Sequence, residues 1–250
     1  MSSQPLSVVI ITKNAATQLA ACLESVAFAE ETLVVDGGSS DGTAELAAQR
    51  GARVLQKEWL GFGPQKQFAV QAARHDWVLC LDADERVSAP LRTSILVALA
   101  APAALAYAMP RCNRFMGRWL RHGEGYPDWS LRLFDRRHAR WSDDAVHEKV
   151  LTDAPVARIR GDLLHDSAET LAGYLDKQNR YTSMQAEALF KAGKHASAAQ
   201  LLLSPALRFF KFYVLRLGWL DGIPGLVHIA IGCGNSFHKY AKLMALQRGA

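Results

Sequence analysis

LSVVIITKN, residues 6–14, decides how the chain is read. Its first seven residues form a continuous apolar, β-branched run, the pattern of a strand covered on both faces, and the run stops at three polar residues. ATQLAACLESVA (16–27) follows with helical spacing at Leu19, Leu23 and Val26. The alternation then repeats. ETLVVD (31–36) reads as a strand, DGTAELAAQR (41–50) as a short helix closed by Gly51, and ARVLQKE (52–58) as a strand. GPQKQFAVQAA (63–73) is helical, and DWVLCLD (76–82) is the fourth and most apolar strand. Buried strands alternating with helices predict an α/β fold with a doubly wound, mostly parallel sheet. Such sheets bind ligands at the carboxyl ends of their strands, which places Thr12–Asn14, Asp36–Asp41 and Asp82–Glu85 on one rim.

Composition agrees with a folded chain. Its 250 residues are 50% hydrophobic, enough for a sizeable core, and most simply make one domain plus an appendage. The N-terminal MSSQPLSVVIITKN lacks a basic leader and its apolar stretch is short, so a cytoplasmic location is expected. Four scattered cysteines, with Cys22 and Cys80 at core-like positions, indicate neither disulfides nor zinc. The net charge of +5 suits an anionic partner, although the excess is modest and no nucleic-acid partner is expected. From residue 105 the pattern shifts to strand-like pieces (YAMPRC, SLRLFDR, EKVL) among Gly- and Trp-bearing loops. From about residue 167 it is helical. Asp166 with Glu169 predicts a capping box for a helix over 170–192, ended by Gly193. The expected domains are 1–166 and a helical extension over 167–250.

Two rim segments carry chemistry. In VVDGGSSDGT (34–43), Asp36 ends a strand and the glycines allow a ligand to approach the backbone. A plain βα turn in which Asp41 caps its helix is an equal reading. A dinucleotide fingerprint is excluded, because TKN stands where G-x-G-x-x-G is needed. LCLDADER (79–86) taken alone is a strand running into a capped turn. Beside a nucleotide pocket its carboxylates become half of a metal–diphosphate site: a hard divalent cation takes one or two carboxylates and completes its shell with phosphate oxygens and water. Asp82 and Asp84, one residue apart, lie on the same side of an extended chain.

TKN, VVDGGSSDGT and LDADE, in this order and spacing, resemble family 2 glycosyltransferases of the GT-A fold, with LDADE as the DXD motif. WLGFGPQKQFA, PRCNRFMGRWLRHG, YPDWSLRLFDR and VHEKV resemble the subgroup that adds β-1,4-glucose to heptose in the inner core of bacterial lipopolysaccharide. The resemblance runs from Leu6 to about residue 245. One departure is Ala15, where many members carry an acidic residue. It implies a UDP-sugar donor, with Thr12, Asn14 and Asp36 bordering the uridine and Lys66 near the uracil or diphosphate. Asp82 is expected at the ribose or the metal, and Asp84 on Mg²⁺ or Mn²⁺. The implied acceptor is lipid-linked lipopolysaccharide core, met at the inner-membrane surface by a peripheral, membrane-associated enzyme.

An inverting transfer also needs a general base for the acceptor hydroxyl. Glu148 in VHEKV is the first candidate and Asp128 in YPDW the second, ahead of Asp143 and Asp144. His147 and His165 read as core or supporting residues. Arg111, Arg114 and RWLRHG (118–123) concentrate guanidinium groups suited to carboxylates and phosphates on the acceptor side. SAAQLLLSPALRFFKFYVLRLGWLDG (197–222) is dense in aromatics interleaved with Arg208, Lys211 and Arg216, and its aromatic-basic part around 208–219 reads as an interfacial helix, with Phe209, Phe212, Tyr213 and Trp219 in the headgroup boundary and the cations on anionic lipid. A core-packing or dimer-forming helix is its alternative. A sugar nucleotidyltransferase lacks its basic, Gly-rich loop here, since TKNAATQ is a poor substitute, and a catalytically silent nucleotide-binding scaffold stays open at this stage.

Overall fold

The computed structural model describes residues 3–144, 148–167 and 170–249; His147 and Glu169 of the readings above lie outside them. Contacts divide the chain into two compact units. One runs through Arg111 and resumes over Asp128–His165. The other joins Cys112–Pro127 to the segment from Asp166 onward, so a stretch of the middle of the chain belongs with the C-terminal helices.

The first unit is an α/β sheet of the expected GT-A type. Its elements run β1 (Leu6–Thr12), α1 (Ala16–Ser25), β2 (Glu31–Asp36), α2 (Thr43–Gln49), β3 (Arg53–Gln56), α3 (Phe62–Ala72), β4 (Trp77–Asp82), β5 (Glu85–Val87) and α4 (Ala89–Ala100). β6 (Ala106–Phe115) passes into the second unit, where it turns back on β7 (Arg118–Trp119). The first unit resumes with β8 (Asp128–Asp135), β9 (Ala139–Trp141), β10 (Val150–Thr152), β11 (Val156–Arg158) and β12 (Leu163–His165). The order β3-β2-β1-β4-β8-β6-β12-β5 is parallel from β3 to β4. β8 then runs antiparallel to β4 and to β6, so the sheet is mixed.

All seven β1 residues are buried, and alternate ones serve opposite faces. Val8 and Ile10 join Leu19, Leu23, Leu91 and Ile95 beneath α1 and α4. Val9 and Ile11 join Ala69, Val70 and Phe134 beneath α3. The register pairs Thr12 with Asp36 and Ile11 with Asp82, which levels three strand ends on one rim as expected.

The second unit holds α5 (Leu171–Lys191), α6 (Ala198–Phe209), a π-helical turn (Phe210–Leu215), a 3₁₀ turn (Gly218–Asp221) and α7 (Gly222–Arg248). Two expectations need correction here. Thr170 caps α5, accepting from the Gly173 amide, while Asp166 is committed to Arg114 at 2.8 Å. The helix expected around 208–219 is not continuous. It breaks at Leu217, which is left-handed (φ 54°), and the following turn is fixed because the Asp221 carboxylate accepts from the amides of Arg121 and His122.

The interfacial reading is corrected in detail as well. Arg208 turns toward Glu124, with Nε 3.1 Å from its Oε2, and Arg216 donates to the Tyr126 carbonyl. Phe212 and Tyr213 are half-buried, and Tyr213 stacks on Phe209. Residues 223–233 are the start of the 27-residue α7. Among the described residues no single helix is long and apolar enough to cross a membrane; the pair 198–215 and 218–248 passes only together, across a 74° bend.

Candidate active site

Asp36 is buried and accepts from the Gly38 and Ser39 amides at 3.1 and 2.9 Å and from the Ser39 hydroxyl at 2.5 Å. Asn14, left-handed at φ 53°, donates its amide to Ser39 Oγ, and its side-chain oxygen accepts from the Ser40 amide. These bonds tie the loop after β1 to the loop after β2. Asp41 does bond the first turn of its own helix through Thr43, as the turn reading expected, and it also accepts from Ala16 at the start of α1. Gly37 is the close approach: a Cβ there would sit 2.9 Å from the Trp59 ring. Thr12, Asn14, Trp59, Phe62, Asp82, Asp84 and His165 share a cleft of about 560 Å³, whose lining does not include Asp36 or Lys66.

The DAD turn leads from β4 into β5, and its three carboxylates have different surroundings. Asp84 lines the cleft, 3.2 Å from His165 Nε2. Asp82 lies 3.0 Å from Lys66 Nζ and 3.0 Å from an Arg132 nitrogen. Glu85, which by sequence could be only a turn residue, is fully buried, 2.8 Å from Arg132 and 3.7 Å from Arg111, and also accepts from the Asp82 amide.

Lys66 is 3% exposed, and its ammonium joins two carboxylates: Asp82 and, at 2.8 Å, Glu148. The Trp141 ring lies beneath both cations, 4.8 Å from Lys66 and 5.6 Å from Arg132. Trp141 is itself pinned by donating its indole N–H to Cys80 at 3.3 Å. Glu148 lines a second cleft of about 390 Å³ with Arg111, Trp129, Arg132, Trp141 and Lys149. Lys66 therefore connects the Asp82 end of one cleft to the Glu148 wall of the other. Gly63 is a second close approach, where a Cβ would meet the Ser142 carbonyl at 2.3 Å and lie 3.3 Å from the Glu148 Cβ.

The remaining candidates sit elsewhere. Asp128 is paired with Arg111 at 2.7 Å, while Asp143 and Asp144 are exposed, the former 3.6 Å from Arg140. Arg111 belongs to the sheet unit and is committed to Asp128 and Glu85; Arg114, Arg118 and Arg121 belong to the helical unit, where Arg118 donates to the Leu220 carbonyl. Sequence reading missed Arg132 and Trp141. The available signal was Arg132 sharing a strand face with Phe134 in SLRLFDR, a cation where a core residue belongs.

Burial alone would raise the Asp82 carboxyl, but Arg132 and then Lys66 hold it well below the usual carboxylate range. Burial pushes the Cys80 thiol up to about 12, against the Trp141 hydrogen bond, and also raises Cys22 well above the usual thiol range, so both thiols are inert. Glu31 and Asp135 are also held low, against burial, by Ser7 and Arg74 hydrogen bonds and by Arg137 respectively. A carboxylate with a depressed folded value binds its proton more readily when unfolded, so it stabilises the fold above the unfolded value. Stability is therefore expected to be level above about pH 5 and to fall as pH drops through the folded values. Urea midpoints measured from pH 7 to pH 3 check this, and a flat profile would exclude it.

Among the described residues no group of three or more His, Cys, Asp or Glu is placed to hold a metal ion. The donor set fits an ion that takes most of its shell from phosphate and water: Asp84 faces the cleft, whereas Asp82 is already engaged by two cations.

The chain thus joins a mixed α/β sheet to a rim of loop-tied polar residues and a DAD turn. The model of the family described as Glycosyl transferase family 2 matches residues 7–157, and the chain belongs to that family and is a glycosyltransferase. It is 30% identical over 247 residues to the lipopolysaccharide core biosynthesis glycosyltransferase LpsC of Rhizobium meliloti, covering 96% of this chain and 92% of that protein. It is 31% identical to the uncharacterized glycosyltransferase RT0209 of Rickettsia typhi, covering 96% and 87%. Among solved structures it is similar to glucosyl-3-phosphoglycerate synthase from Mycobacterium tuberculosis in complex with Mg²⁺ and UDP, with TM-score 0.48, 17% identity and coverage of 78% and 81%.

Proposed function

We propose that this glycosyltransferase moves glucose from UDP-glucose, with inversion, to a heptose of the lipopolysaccharide inner core, meeting a lipid-linked acceptor at the cytoplasmic face of the inner membrane. The observation that carries the reading is the Lys66 bridge between Asp82 and Glu148. It puts a candidate base one buried cation away from the donor cleft. Likeness to LpsC supports the acceptor class.

Thr12, Asn14 and the Asp36 loop border the uridine, the last by holding amides in place more than by offering unbonded oxygens. Asp84 holds the divalent cation, Mg²⁺ or Mn²⁺, with Asp82 beside it; that ion supplies charge neutralisation for the departing diphosphate. Lys66, itself buried with the Trp141 ring against it, adds its ammonium on the same side. Glu148 removes the proton of the acceptor hydroxyl as its oxygen attacks the anomeric carbon and the bond to the diphosphate breaks. Attack from the face opposite the leaving group inverts the configuration.

The test is incubation with UDP-glucose and truncated lipopolysaccharide cores, with Mg²⁺, Mn²⁺ or chelator, followed by product mass. A gain of one hexose that chelation prevents is expected; no gain on any core ends the acceptor reading, and a gain only with another nucleotide sugar replaces glucose. Asp84→Asn should lower kcat by about 10²–10³ and remove the Mn²⁺ dependence of UDP binding in calorimetry. Retention of both would exclude Asp84 as the ligand.

A further inference from the structure

The helical unit carries an apolar edge that the protein does not cover. Neither α6 nor the π-helical turn after it contains a buried residue, although residues 201–215 read LLLSPALRFFKFYVL. Leu203, Leu207, Phe210 and Val214 follow one another at steps of four, three and four residues, which is one helix face. Leu207, Leu215 and Ile223 are each 65–67% exposed. A face of this kind in water marks a missing partner.

Charge identifies that partner. From Ala188 to Ala250 the chain has eight Lys and Arg against a single acidic residue, Asp221, so this segment carries +7 while the whole chain carries +5. Asp221 is buried against His122, which leaves the surface of the segment without a carboxylate of its own among the described residues. Lys191, Lys194, Lys211 and Arg216 are exposed. A soluble protein partner or a second copy would supply apolar area, but a second copy would bring the same positive excess against itself. An anionic bilayer supplies both an apolar layer and opposite charge.

We infer that the 202–223 edge seats in the headgroup layer of an anionic membrane, with Leu203, Leu207, Phe210, Leu215 and Ile223 entering it and the lysines resting on lipid phosphates. The seat is shallow, because the helix breaks at Leu217 and each arm alone is too short or too polar to cross. The inference stands on the helical unit and is independent of the donor and acceptor chemistry assigned to the sheet.

Cosedimentation of the full chain with vesicles tests it. The wild type should bind phosphatidylglycerol-containing vesicles at least about tenfold better than phosphatidylcholine vesicles, the preference shrinking as salt is raised. The triple variant Leu203→Ser/Leu207→Ser/Phe210→Ser should lose at least about tenfold of that binding while its circular dichroism and UDP affinity stay unchanged. Equal binding by wild type and variant overturns the inference, as does wild type that stays with the supernatant. If the substitutions instead abolish self-association and leave vesicle binding intact, the edge belongs to a second copy. Loss of UDP binding in the wild type with vesicle binding retained would refute the donor reading alone.

Discussion

Glu148→Gln is expected to lower kcat by about 10²–10⁴, the range lost when a positioned base can no longer take a proton. The amide keeps the size of the carboxylate and can still accept from Lys66, so UDP affinity should change little. Asp128→Asn is the control. Asp128 is bound to Arg111 and does not reach Lys66, so the substitution should affect acceptor KM more than kcat. Steady-state kinetics with saturating donor separates the two. If Asp128→Asn loses the larger share of kcat while Glu148→Gln retains it, the base assignment is reversed.

Glu85→Ala should destabilise the fold by about 3–5 kcal/mol, the cost of removing one partner from a buried ionic cluster. The cost arises because Glu85 is fully buried and serves Arg132, Arg111 and the Asp82 amide together. Its removal leaves a guanidinium underpaired in the interior and unpins the turn that carries Asp82 and Asp84. Glu85→Gln keeps one acceptor oxygen and should cost less. Urea denaturation of both variants measures the difference; an alanine variant within about 1 kcal/mol of wild type would contradict the role.

The first four strands and three helices were legible because local patterning alone sets them. β1 and β4 are apolar on both faces, and few other conformations could bury Val8, Val9, Ile10 and Ile11 together. The rim followed from topology. The buried charge cluster was not legible, since it joins Lys66, Asp82, Glu85, Arg132 and Glu148 across more than eighty residues of chain. Periodicity within one element says nothing about such contacts. The break at Leu217 was hidden for a related reason: it depends on Asp221 folding back on the Arg121 and His122 amides, a bond made about a hundred residues away in sequence.

The same cluster bears on how the donor must arrive. Across the two clefts Lys13, Lys66, Arg111, Arg132 and Lys149 contribute five formal positive charges, and Asp82, Asp84, Glu85, Asp128 and Glu148 contribute five negative ones. With five charges of each sign the clefts are formally neutral. The cluster's lysine and arginines are shared with the protein's own carboxylates, so a pyrophosphate meets no cationic surplus there. The proposed UDP-sugar would add negative charge that this balance does not cover, so on that reading the donor should enter chelated to its cation, and free nucleotide in excess of the metal should compete poorly with it.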